Sequence, residues 1–163
     1  MASSFKASPA SRFYDDHAQR LFEQYQSISF DLIHGEWLHH LSSQPGLALD
    51  VGAGSGRDAE ALAKRGWQVI AVEPADRLRG LGQAHTVGDD ISWLNDTLPS
   101  LNLVRHLSQR FQLILVSAVW MHLDHDEQQR ALRVLSSLLA PGGILVITCR
   151  EGPSCDERQF QAV

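Results

Sequence analysis

Lysine is almost absent from this chain. Twelve of its 14 basic residues are Arg, and only Lys6 and Lys64 are Lys, which leaves little room for Schiff-base or lysine-dependent acid–base chemistry. Cysteine is equally scarce. Cys149 and Cys155 are too few for a disulfide framework or a four-thiolate zinc site, so a reduced, cytoplasmic setting is the default expectation. No run approaches the roughly 18 consecutive apolar residues that a membrane-spanning helix needs. An excess of positive charge is missing too: the net charge is −5, which disfavours bulk-charge binding to nucleic acid or anionic lipid. No internal repeat or low-complexity block stands out. What remains is a chain of 163 residues, 44% apolar and 20% charged, the profile of one globular domain. A chain of this size buries roughly 70% of its unfolded surface without a covalent staple.

Residues 1–14 (MASSFKASPASRFY) are rich in Ser and Ala, carry Lys6 and Arg12, and contain no acid. Too short for an organelle address and without the apolar core of a secretory signal, they read as a mobile tail, with the domain spanning residues 15–163. Residues 15–27 suit a helix with Leu21, Phe22 and Tyr25 on one side. A second helix follows from residue 31, its face formed by Ile33, Trp37 and Leu41, and Pro45-Gly46 ends it. The period then changes. Short apolar runs at 47–51, 67–73, 91–94, 111–118 and 144–149 read as five strands. Helical stretches lie between them, at 57–65, 75–81, 99–109 and 125–139, the second loosened by Gly80 and Gly82. Asp124 and Glu127 spell a capping box for the last. Strands alternating with helices predict a doubly wound α/β fold on a parallel sheet covered on both faces. Its ligands bind at the carboxyl ends of the strands.

The distinctive residues fall at those ends. Gly52-Ala53-Gly54-Ser55-Gly56 follows the first strand, and glycine there permits a tight turn and close approach of a ligand to the backbone. Glu73 closes the second strand, 19 residues after Gly54, where a carboxylate can accept both ribose hydroxyls of an adenosine. A dinucleotide fingerprint runs G-x-G-x-x-G/A, whereas this chain has G-x-G-x-G followed by Arg57. Asp50, two residues before Gly52, adds negative charge that would oppose a pyrophosphate and suit a cationic ammonium–sulfonium ligand.

Four segments, LALDVGAGSGRD, VIAVEPA, FQLILVSAVWMHL and LLAPGGILVIT, resemble in order and spacing the motifs of class I S-adenosylmethionine (SAM)-dependent methyltransferases. The resemblance covers roughly residues 12–160. It implies a Rossmann-like, mostly parallel sheet of order 3-2-1-4-5, SAM as cofactor, and methyl transfer to an O, N, S or C nucleophile on a small molecule. It places Asp50, Gly52, Ala53 and Gly54 at the methionine end, Glu73 on the ribose and Pro74 against the adenine. By the same resemblance Asp96 and Thr97 read the adenine edge, Ser117 lies beside the transferable methyl, and Tyr14 folds over the cofactor. The family's sheet ends in two further strands that are not readable here, which leaves strand five as an exposed edge through which copies could associate.

No motif names a catalytic residue. His122 is a candidate base, against the alternative of a hydrogen-bonded loop histidine. His122, Asp124, His125 and Asp126 lack the H-E-x-x-H pattern, and no metal site is expected. Asp58 reads as a helix-dipole acid. Two other functions stay open. One is a module that binds SAM or its product S-adenosylhomocysteine (SAH) without activity of its own. The other is an NAD(P)-dependent oxidoreductase, whose short-chain form needs a Tyr-x-x-x-Lys that neither Tyr14 nor Tyr25 supplies.

Overall fold

The computed structural model describes residues 9–149. Five strands, β1 (Leu47–Val51), β2 (Gln68–Val72), β3 (Ile91–Leu94), β4 (Phe111–Ser117) and β5 (Leu139–Thr148), form one sheet. Its order is β3-β2-β1-β4-β5, every pairing is parallel, and it matches the expected order. The helices are α1 (Pro9–Asp16), α2 (Ala18–Gln26), α3 (Phe30–His34), α4 (Arg57–Lys64), α5 (Asp76–His85), α6 (Asn102–His106) and α7 (His125–Leu138). Two 3-10 turns, Leu38–His40 and Trp120–His122, complete it.

Side chains alternate across the central strands, and two cores result. Leu49, Val51, Ile70, Val72, Ile114 and Val116 join Val104, Ala131 and Leu135 of α6 and α7 on one face. Ala48, Val69, Ala71, Leu113 and Leu115 join Ala59 and Leu62 of α4, Trp67 and Phe30 on the other. Burial on both faces explains why these strands read as unbroken apolar runs. Asp50 has the parity of Ala48 and so points its carboxylate toward the α4 face.

Several expectations need correction. The tail does not extend to residue 14: α1 starts at Pro9, a residue whose fixed φ suits a first helical position, and Phe13 is buried. Phe13 stacks on His17 with centroids 4.3 Å apart, and the single helix expected over 15–27 is divided at His17. The helix expected from residue 31 ends at His34. Ile33 is exposed, and the buried member of α3 is His34, because a carboxylate of α4 draws the imidazole inward. Around Pro141-Gly142-Gly143 the chain stays in the sheet as an irregularity: Phe111 pairs with Leu139 but Leu113 with Ile144. No described helix is long and apolar enough to cross a membrane.

Candidate functional site

One cavity of about 1050 Å³ opens at the carboxyl ends of the strands. Tyr14, Gly52, Ala53, Gly54, Glu73, Pro74, Asp96, Thr97, Ser117 and His122 all line it. Asp50 does not, although its neighbours Val51 and Gly52 do.

The turn after β1 is built to bring backbone to the cavity. Gly52, Gly54 and Gly56 have φ of 72°, 56° and 83°, a region that favours glycine. A Cβ on Gly52 would lie 2.1 Å from Val119 Cγ2, so no larger residue fits. Gly52 and Ala53 both donate their N–H to the Val72 carbonyl, at 2.8 Å each. Gly54 N–H donates to Glu73 Oε2 and Ala75 N–H to Glu73 Oε1, each at 2.9 Å. Glu73 is thus oriented by both flanking loops while each oxygen keeps acceptor capacity toward the cavity. Burial pushes its carboxyl up to about 7, against the pull of those two N–H groups.

Three carboxylates surround the turn. Asp58 is buried and paired: His34 Nε2 lies 3.0 Å from its Oδ2, and Arg57 Nε donates to Oδ1 at 2.9 Å. Trp37 Nε1 donates to His34 Nδ1 at 3.2 Å, which leaves the imidazole proton on Nε2, facing Asp58. Burial alone would raise the Asp58 carboxyl; the hydrogen bonds from His34 and Arg57 outweigh it and hold the group low. Asp50 has less relief: only the Arg57 charge and the nearby Ala59 N–H pull its carboxyl down. Its two oxygens are the only buried side-chain polar atoms without a hydrogen-bond partner among the described residues. Burial, then the charge of Asp58, holds its carboxyl well above the usual range. Unpartnered buried carboxylate oxygens call for a donor or a cation.

Asp96 departs from the reading of it as an adenine contact. Its Oδ1 accepts the N–H of Thr97 and Asn102, and its Oδ2 those of Leu103 and Val104, at 2.7–3.1 Å. Those four bonds fill a carboxylate's acceptor sites. Asp96 therefore caps α6 from outside the helix and has no oxygen to spare for an exocyclic amine. Thr97 and Pro74 remain at the wall. Ser117 Oγ, at the end of β4, accepts from Thr148 Oγ1 at 3.2 Å.

A family model described as a methyltransferase domain matches residues 23–162. The chain belongs to the methyltransferase-domain family. It is 26% identical over 139 residues to an uncharacterized methyltransferase of Alkaliphilus oremlandii, an alignment covering 82% of this chain and 57% of that one. It is 32% identical over 103 residues to the tRNA 5-carboxymethoxyuridine methyltransferase of Escherichia coli strain K12, covering 60% of this chain and 37% of the relative. Among solved structures it superposes on the glycopeptide N-methyltransferase MtfA complexed with SAM at a TM-score of 0.63, with 18% identity, over 72% of this chain and 53% of that one. The chain therefore spans roughly half the length of these relatives or less.

Beyond the family's motif residues, this methyltransferase domain uses side chains that sequence reasoning passed over. Gln26 Nε2 donates to Ser55 Oγ at 3.2 Å, and Arg57 Nη1 to the Tyr25 carbonyl at 3.2 Å. Together they fasten the glycine turn to the end of α2. Asp15 Oδ1 accepts the Arg77 N–H at 2.8 Å and so caps α5 from α1. His34 carried no signal in the sequence, since its partner is 24 positions away. Asp124 and Glu127 form the capping box read from their spacing.

Proposed function

We propose that this chain binds SAM in the cavity and transfers its methyl group to a small-molecule nucleophile, releasing SAH. The observation that carries this reading is the glycine turn with Glu73: a buried carboxylate, oriented by Gly54 and Ala75, aimed where ribose hydroxyls can donate to it. Bound SAM supplies an electrophilic methyl on a sulfonium. The chain's residues do the rest. Gly52 and Gly54 admit the methionine portion, Asp58 gives its ammonium an anionic surface, and the cavity aligns the acceptor and excludes water.

Charge supports a small acceptor over a nucleic acid. The cavity is lined by six carboxylates and one guanidinium, Arg57, with no lysine, and Arg57 is engaged by Asp58 and the Tyr25 carbonyl. Phosphate backbones are held chiefly by free Arg and Lys. The same charge argues against NAD, whose pyrophosphate would meet the carboxylates of the cavity wall, Asp58 among them.

Titration calorimetry with SAH, SAM and NAD tests the reading. SAH and SAM should bind and NAD should not; binding of NAD without SAH would refute it. SAH release from SAM in the presence of acceptor pools then separates an enzyme from a binding module, which would bind both ligands without turnover.

A further inference from the structure

His34, at the end of α3, is wholly enclosed, at 0% exposure. The ring of Phe30 lies 4.7 Å and that of Trp37 5.2 Å from its own, centroid to centroid. Enclosing an imidazole costs free energy unless its nitrogens find partners, and both do. Trp37 Nε1 donates to Nδ1 at 3.2 Å, and Nε2 donates to Asp58 Oδ2 at 3.0 Å. Neither His34 nor Trp37 lines the cavity, but Asp58 does.

Resting on the SAM reading above, we infer that His34 is a positioning residue: acting through Asp58, it sets the carboxylate that receives the amino-acid ammonium of SAM.

Placement points first to Asp58. It stands in the first turn of α4, directly after the glycine turn, and it lies on the cavity wall where Asp50 does not. Each of its oxygens accepts one donor, Arg57 Nε on Oδ1 and His34 Nε2 on Oδ2. A carboxylate has about four acceptor sites, so Asp58 can take a further donor, whereas the four N–H groups on Asp96 leave that residue none.

The state of the imidazole then explains why a histidine suits this place. Because Nδ1 accepts from Trp37, His34 donates to Asp58 as a neutral ring. It fixes the carboxylate from a second helix without bringing a positive charge that would compete with an ammonium, as a lysine or arginine there would. Burial pushes the Asp58 carboxyl up, and the hydrogen bonds from His34 and then Arg57 hold it low. One contact thus orients the group and keeps it charged.

Two ligands separate this role from plain support of the fold: SAH, and the analogue of SAH without its amino group, which keeps the adenosine, thioether and carboxylate. Calorimetry measures both on the parent chain and on each variant, and thermal melts report folding. Asp58→Asn should weaken SAH about tenfold, the worth of a charge-assisted hydrogen bond, and leave the analogue little changed. His34→Phe, which fills the space without a donor, should weaken SAH severalfold and again spare the analogue. His34→Gln, whose amide can still donate to Asp58, should recover most of the SAH affinity. In the Asp58→Asn background, His34→Phe should cost SAH little more, since it acts through a charge already removed. Should His34→Phe fail to fold, His34→Leu, smaller and equally without a donor, gives the same comparison. Equal losses for the two ligands, or undiminished SAH affinity in Asp58→Asn or in the folded donor-free variant, overturn the inference and leave the SAM reading standing. Failure of SAH to bind the parent chain overturns both.

Discussion

Burying a carboxylate without a donor costs free energy that the rest of the fold must offset. Asp50 is such a group, with both oxygens unpartnered and the side chain almost wholly enclosed. Its carboxyl is held above the usual 3.8 by burial and by Asp58, so the folded chain keeps a proton that the unfolded chain has lost. Stability from this group is therefore present at low pH and is lost as pH rises from the ordinary carboxylate range through the raised value. Asp50→Asn removes that loss. The ligand-free variant should be more stable than the parent by about 1 kcal/mol at neutral pH, roughly 2–4 °C in Tm for a chain of this size, with a gain that shrinks toward acid pH. The same change should weaken SAM binding about tenfold, because Asn cannot give up a proton when an ammonium binds nearby. Thermal melts across pH with SAM titrations check both. A variant less stable than the parent at neutral pH would show that Asp50 has a structural partner.

Helix ends are set by two kinds of capping, and only one can be read from sequence. The Asp124–Glu127 box is local, and its spacing announced it. Asp15 and Asp96 cap α5 and α6 from other segments, so no local pattern marks them. For that reason Asp96 resembled an adenine contact. Asp96→Ala should cost about 2 kcal/mol in urea unfolding, since four N–H groups lose a charged acceptor; an unchanged stability with a large loss of SAM affinity would restore the adenine role. In α5 the glycines that seemed to weaken the helix have separate reasons. A Cβ on Gly82 would lie 2.5 Å from the Trp93 ring and 3.2 Å from the Ser55 carbonyl, whereas one on Gly80 would meet nothing within 4 Å. Gly82→Ala should therefore destabilise by about 1–3 kcal/mol through overpacking, and Gly80→Ala should stabilise by roughly 0.5–1 kcal/mol. Similar Tm changes for the two would mean that Trp93 moves aside freely. The sheet itself was legible because strands buried on both faces must be apolar throughout. The division of α1 from α2 and the early end of α3 were not, because they depend on where Phe13 and His34 find partners.

Across the whole molecule, charge and ligand should be coupled. The chain carries a net −5, and carboxylates outnumber cations along the cavity. SAM has a net charge of about +1 at neutral pH, from its sulfonium, ammonium and carboxylate, while SAH is a neutral zwitterion. The two ligands share the adenosine and amino-acid contacts, so those contacts cancel when their affinities are compared. What remains is one positive charge in the summed field of the protein. Added salt screens that field: the Debye length falls from about 10 Å at 0.1 M to about 3 Å at 1 M. SAM affinity should accordingly decline with salt more steeply than SAH affinity, and the SAM-to-SAH ratio should drop severalfold over that range. Calorimetry of both ligands at several salt concentrations measures the two slopes. Parallel slopes would mean that the sulfonium meets only buried, unscreened groups and that the acidic rim does not steer the cofactor.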